Sequence, residues 1–206
     1  MLDFPKDITI YEDYVQCGLQ KVSYDEIISI RVYVSQTTTN LTSWTGIPTV
    51  SDLKSQIGLL LIDENRIDIR VVNYEEWGPF KNKEGMETFK DGLAFSRFLE
   101  EKTFKQRVDH YLKTGTHDMH FKYRGFEFLK DKTIRANGKI YVSFNPEEWT
   151  VKRSFRKLSF WQTGFFGAID TLYGSRTTDT DINLTYDEDV ILHLIEKLIG
   201  VSPKDE

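Results

Sequence analysis

The stretch Glu84–Gly115, EGMETFKDGLAFSRFLEEKTFKQRVDHYLKTG, decides the fold. Met86, Phe89, Leu93, Phe98 and Leu99 recur at helical spacing and form one apolar stripe. Gly92 interrupts that stripe, which predicts a weak start and a firmer helix over about Leu93–Glu101. Thr103 followed by Gln106 reads as a capping box, in which the threonine oxygen accepts from a free backbone N–H and the glutamine reaches back to the cap. Phe104, Val108, Tyr111 and Leu112 make the next stripe, and Gly115 supplies a residue that ends helices at little cost. The expectation is two helices meeting near Lys102. Strand-like sequence lies on both sides of them.

Before the helices, Asp7–Ile10 and Tyr14–Cys17 read as a hairpin, and Leu19–Tyr24 as a third short strand after the Gly18 turn. Ile28, Ile30, Val32 and Val34 then alternate with polar or aromatic residues, the clearest half-buried strand in the chain. Thr37–Ser55 is polar and reads as a long loop or lid carrying Trp44, either a plug onto the sheet or a contact for a partner. Gln56–Ile62 and Arg66–Val72 form a second hairpin around Asp63-Glu64-Asn65, and Tyr74–Lys83 reads as a loop.

The second half follows the same order. Strands are expected at Phe126–Leu129, Thr133–Ala136 and Ile140–Phe144, the last two joined by Asn137-Gly138, the strongest short hairpin signal. One further strand runs from Val151 through Lys157 to Phe160-Trp161, and a short one covers Asp179–Leu184. Gln162–Gly174, with Phe165 and Phe166, is rich in glycine and aromatics. A second capping box, Thr185 and Glu188, opens a final helix whose stripe is Val190, Ile191, Leu194, Ile195 and Leu198.

The two beginnings, ITIYEDYVQCGLQKVSYDEII and FEFLKDKTIRANGKIYVSFNPEEW, each run strand, acidic turn, strand, glycine turn and strand, then an acidic pair before a large apolar residue. The pattern over residues 8–36 resembles the pleckstrin-homology-like superfold, including its GRAM-type and bacterial relatives. The resemblance implies an α+β, mainly antiparallel chain of two bent sheets, each closed by a C-terminal helix. The units would be residues 1–114, with an insertion loop over 37–55 and helices over 86–114, and residues 121–206, with a helix over 187–200. The insertion and the second helix after the first copy depart from that pattern. The superfold serves lipid, peptide and purely structural roles, so it carries no single function.

The chain of 206 residues has 39% hydrophobic and 14% aromatic residues, enough for compact cores, and a net charge of −5. A lone cysteine, Cys17, excludes an intramolecular disulfide and suits a buried thiol. The start MLDFPKDITI has neither a basic segment nor an apolar one, and no run reaches the ~20 apolar residues of a membrane span, so a cytoplasmic protein is expected. The acidic balance disfavours nucleic acid as a partner. Lys122–Lys157 nonetheless holds ten basic residues against four acidic, a local +6.

Within that run Lys130, Lys132, Arg135, Lys139, Lys152 and Arg153 come together on the hairpin reading, where pleckstrin-homology-like domains that bind phosphoinositides hold the headgroup. A solvated strand face neutralised by Glu127, Asp131, Glu147 and Glu148 is the simpler reading. His110, His117 and His120 with Asp109 and Asp118 form the one histidine cluster, but it straddles a helix end and a linker over Thr114–His120. Asp63, Glu64 and Asp68, and separately Asp179, Asp181, Asp187 and Asp189, could in principle hold metals; a hairpin turn and a helix N-terminus explain them without one. No metal, cofactor or catalytic residue is assigned. The expectation is a non-catalytic binding or scaffolding protein with an unidentified protein partner, meeting it through Trp44, Phe165 and Phe166. Anionic membrane lipid on the basic face is the alternative, and a metal-dependent hydrolase a distant third.

Overall fold

The alternating runs form antiparallel meanders, and much of the polar sequence between them proves to be strand as well. The computed structural model describes residues 1–39, 50–77, 83–136, 139–143, 149–154, 157–162, 182–200 and 202–205. The chain is α+β, with mostly antiparallel sheets and two helices among the described residues. It divides into two compact units, Met1–Thr103 and Phe104–Glu206.

In the first unit β1 (Leu2–Asp3) precedes a three-stranded meander of β2 (Ile8–Ile10), β3 (Tyr14–Cys17) and β4 (Gln20–Ser23). A 3-10 turn at Tyr24–Glu26 leads into β5 (Ile27–Thr39), β6 (Val50–Leu61) and β7 (Arg66–Trp77), with β1 added in parallel along β7. These last strands run to about 40 Å at the usual rise per residue. A bulge between Ile27 and Ser29 places Ile27 in the core beside Ile30 and Val32, with Ile28 buried as well. A second bulge, at Val71 on β7, leaves both Val71 and Val72 buried. Helix α1 (Lys83–Lys113) sends Phe95 and Leu99 into the same core, which both sheets share.

The second unit is built in the same manner. One sheet takes β8 (Met119–Tyr123), β9 (Phe126–Leu129), β10 (Thr133–Ala136) and β11 (Lys139–Ser143); the other takes β12 (Trp149–Ser154), β13 (Lys157–Gln162), β14 (Ile182–Asn183) and β15 (Lys204–Asp205). Phe121, Tyr123, Phe128, Ile134 and Val151 pack with Val190, Ile191, Leu194 and Ile195 of α2 (Glu188–Leu194) and the wider π-type turn Ile195–Ile199 after it. Phe104, Val108 and Tyr111 of α1 lie against this core. The sheets stay open among the described residues, and no described helix is long and apolar enough to cross a membrane.

Several expectations are corrected. The central stretch is one helix of 31 residues, not two. Thr103 lies within that helix instead of opening one: it is wholly buried, and its hydroxyl donates to the Leu99 carbonyl at 2.6 Å, the bond a threonine makes inside a helix. The 37–55 loop is shorter than expected, because Thr37–Thr39 pair with Val50–Asp52 and Val50 pairs with Trp77. Threonines in a row are polar but β-branched, and the ladder extends through them. Val151 to Trp161 is a hairpin of β12 and β13 instead of one strand. Met119 and His120, expected in a linker, begin β8, and the final helix is capped by Asp187 in a left-handed conformation, φ 46°, instead of by Thr185. The two-residue strands β1 and β15 are too short to leave a periodic signal.

Gly92 has a packing role. A Cβ there would fall inside the radius of Val71 Cγ1 on β7, so the missing side chain lets α1 approach the sheet. Gly92→Ala is therefore expected to destabilise the protein by about 1–3 kcal/mol, against the roughly 1 kcal/mol that alanine contributes to a helix interior. Urea unfolding measures the balance; a gain in stability would show that Val71 has room to yield. Burial pushes the Cys17 thiol up to about 11, which leaves almost no thiolate at neutral pH. Ellman's reagent should label Cys17 only after denaturation, and rapid labelling of the native protein would contradict that burial.

Candidate functional site

Arg107 falls on the apolar side of α1, three residues after Phe104 and four before Tyr111, and its side chain is 0% exposed. An isolated charge in such a place costs many kcal/mol, so the surrounding residues must answer it. Nη1 donates to Asp187 Oδ1 at 3.0 Å and to Asp189 Oδ1 at 2.8 Å, and Nη2 donates to Asp189 Oδ2 at 2.6 Å. Tyr111 Oη donates to Asp187 Oδ2 at 2.7 Å. Burial works against the Arg107 charge, but the bonds to Asp189 and Asp187 outweigh it and hold the guanidinium above its ordinary value. The group joins one cation to two carboxylates.

Around it, Tyr123 Oη donates to the Tyr186 carbonyl at 3.0 Å, and burial raises its phenol well above the usual range. The Arg124 guanidinium lies 3.2 Å from the centre of the Tyr186 ring. These contacts fix the segment that leads into α2. They also explain why Asp187 holds a backbone conformation that costs a non-glycine residue on the order of 1 kcal/mol.

Of the carboxylates with metal-binding potential, Asp187 and Asp189 are thus taken up by Arg107, and Asp179 and Asp181 lie outside the described residues. Asp63 accepts from Asn65, and Asp68 pairs with Arg66 at 3.1 Å. His117, 98% exposed, pairs with Asp118 at 2.9 Å. No group of three possible metal ligands assembles among the described residues.

The basic residues are distributed over two sheets. Lys130 and Lys132 are exposed at the β9–β10 turn, where the adjoining Asp131 carboxyl is held below its ordinary value by the backbone N–H of Thr133. Arg135 is bound to Glu127 at 3.1 Å, and Lys122 approaches the same carboxylate at 3.6 Å. Lys139 opens β11, whereas Lys152 and Arg153 lie on β12 in the other sheet. Trp44, Phe165 and Phe166 lie outside the described residues. A cleft of about 100 Å³ in the first unit, between Val34, Leu53, Tyr74, Met86 and Phe89, is smaller than the roughly 300–1,000 Å³ that cofactors and drug-sized ligands occupy.

Arg107 went unassigned in the sequence reading, although a signal was there: an arginine at i+3 within the stripe Phe104, Val108, Tyr111 predicts a buried charge in need of acidic partners. The chain matches no protein-family model, no curated protein and no solved structure.

Removing one member of the network leaves the others buried and uncompensated. Arg107→Met is expected to cost about 3–5 kcal/mol in urea unfolding. Asp189→Asn should cost less, since its side chain is 29% exposed and can reach water. Equal, small losses in both variants would contradict the burial of the pair.

Proposed function

We propose that the chain is a non-catalytic binding or scaffolding protein, built from two pleckstrin-homology-like units, that acts through contacts with another protein. The observation that carries this reading is the use made of the buried ionisable groups. Arg107, Asp187, Asp189 and Tyr111 bond one another, whereas a general base or a metal ligand needs a free lone pair facing a space that substrate can enter. The order of elements supports the fold assignment: in each unit two mostly antiparallel sheets are followed by a helix, with the two-residue β15 after α2, and one core serves all three.

A second reading, recognition of anionic lipid headgroups, has one observation in its favour. Lys130 and Lys132 are exposed on a single turn, and each basic side chain near an anionic surface contributes about 1 kcal/mol. Against it, Arg135 is already bound to Glu127.

The first reading predicts that the full chain, tagged and recovered from its host, elutes as a stoichiometric complex that re-forms from purified components. It also predicts no salt-sensitive flotation with phosphatidylserine vesicles. Recovery as free chain, together with vesicle binding lost in Lys130→Ala/Lys132→Ala, would overturn it in favour of the lipid reading.

A further inference from the structure

We infer that one end of the first unit, formed by the β2–β3 turn, the 3-10 turn and the β6–β7 turn, is a docking surface for a basic, amphipathic segment of a partner protein. The inference rests on the protein-contact reading above and names where the contact is made and with what chemistry.

Three hydrogen bonds, two of them between backbone groups, hold these turns together. Tyr24 Oη donates to the Tyr11 carbonyl at 2.8 Å, Tyr24 N to the Asp13 carbonyl at 3.4 Å, and Ile62 N to the Glu26 carbonyl at 2.9 Å. The same end leaves large apolar side chains in water: Ile62 is 67% exposed, Ile10 48% and Tyr11 45%, with Tyr11 stacked on Tyr14 at 4.3 Å. Leu19 and Leu60 are exposed elsewhere, but here three such side chains are held at one end by ordered turns, an arrangement suited to a contact core.

The charge around them selects the occupant. Glu12, Asp13, Asp25, Glu26, Asp63 and Glu64 are all exposed on these turns. The partners of Glu26 and Asp63, the Ser23 amide and Asn65, are neutral, so those bonds cancel no charge. The lysines against them are Lys21, lying over the Tyr14 ring, and Lys102, 6.0 Å from the Tyr24 ring. An anionic membrane or a nucleic acid would be repelled from this end. A second copy of the chain would present the same negative end in a two-fold contact and is disfavoured for that reason. Lysines or arginines interleaved with aliphatic residues match both features, the charges steering the encounter and the apolar groups holding the complex.

The test is an amide NMR titration of the full chain with a synthetic amphipathic lysine/leucine peptide, and with its glutamate/leucine counterpart as control. The expected result is saturable shifts concentrated at Ile10–Tyr14, Asp25, Glu26 and Ile62–Glu64 with the basic peptide alone, weakened in about 0.5 M salt, where screening is within a few Å. Ile62→Ser, and separately Asp13→Asn with Asp25→Asn, should each weaken binding about fivefold or more; all three positions are exposed, so the fold should persist, and the undisturbed amides verify that it does. Absent shifts, shifts centred elsewhere on the chain, or equal shifts with the acidic peptide would overturn the docking surface. The protein-contact reading fails separately, if no complex is recovered from the host.

Discussion

A guanidinium taken wholly out of water, that of Arg107, sets the terms on which the second unit is built. Its charge cannot be shed, because hydrogen bonds to Asp189 and Asp187 hold its proton more firmly than burial loosens it. The interior must therefore keep two carboxylates within hydrogen-bonding reach, and it takes both from the two ends of one turn that opens α2. That demand explains why Asp187 occupies a left-handed conformation, and why Tyr111 adds a further bond to its second oxygen. A buried pair of this kind seldom contributes more stability than well-packed apolar residues would. What it does here is tie the end of α1 to the start of α2 through three hydrogen bonds from one guanidinium.

The helix that carries Arg107 works differently along its length. Over Phe95 and Leu99 it is an ordinary amphipathic helix laid on a sheet, and its close approach depends on the absence of a side chain at Gly92. Beyond Thr103 its inward face combines Phe104 and Val108 with an ionic group. Both stretches belong to one continuous hydrogen-bonded helix, although the cores they serve are distinct.

Much of this was legible in the residues. The strands β2 to β4, the turn at Asp63–Asn65, the antiparallel pairing of β10 with β11 and the apolar stripe of α2 follow from periodicity and turn chemistry, which are local. What could not be read depends on distant neighbours. Thr37–Thr39 looks like loop until Val50–Asp52 is known to lie beside it. Gly92 looks like a helix breaker until Val71 is placed across from it, and Thr103 looks like a cap until the helix is seen to pass through it. At the site level, the helix dipole is an adequate local explanation for the acidic residues near α2, and their ionic role does not show in the sequence. Their partner lies 80 residues earlier for Asp187, a separation over which single-sequence patterns have no reach.

Native-state hydrogen exchange, comparing the wild-type chain with Arg107→Met, tests the central claim most directly. If Arg107 organises the second core alone, the variant's amides over residues 104–113, β8–β10 and α2 should lose protection together, while those of β3, β5–β7 and residues 95–103 keep theirs. Uniform loss of protection across the chain, or none in α2, would contradict the account.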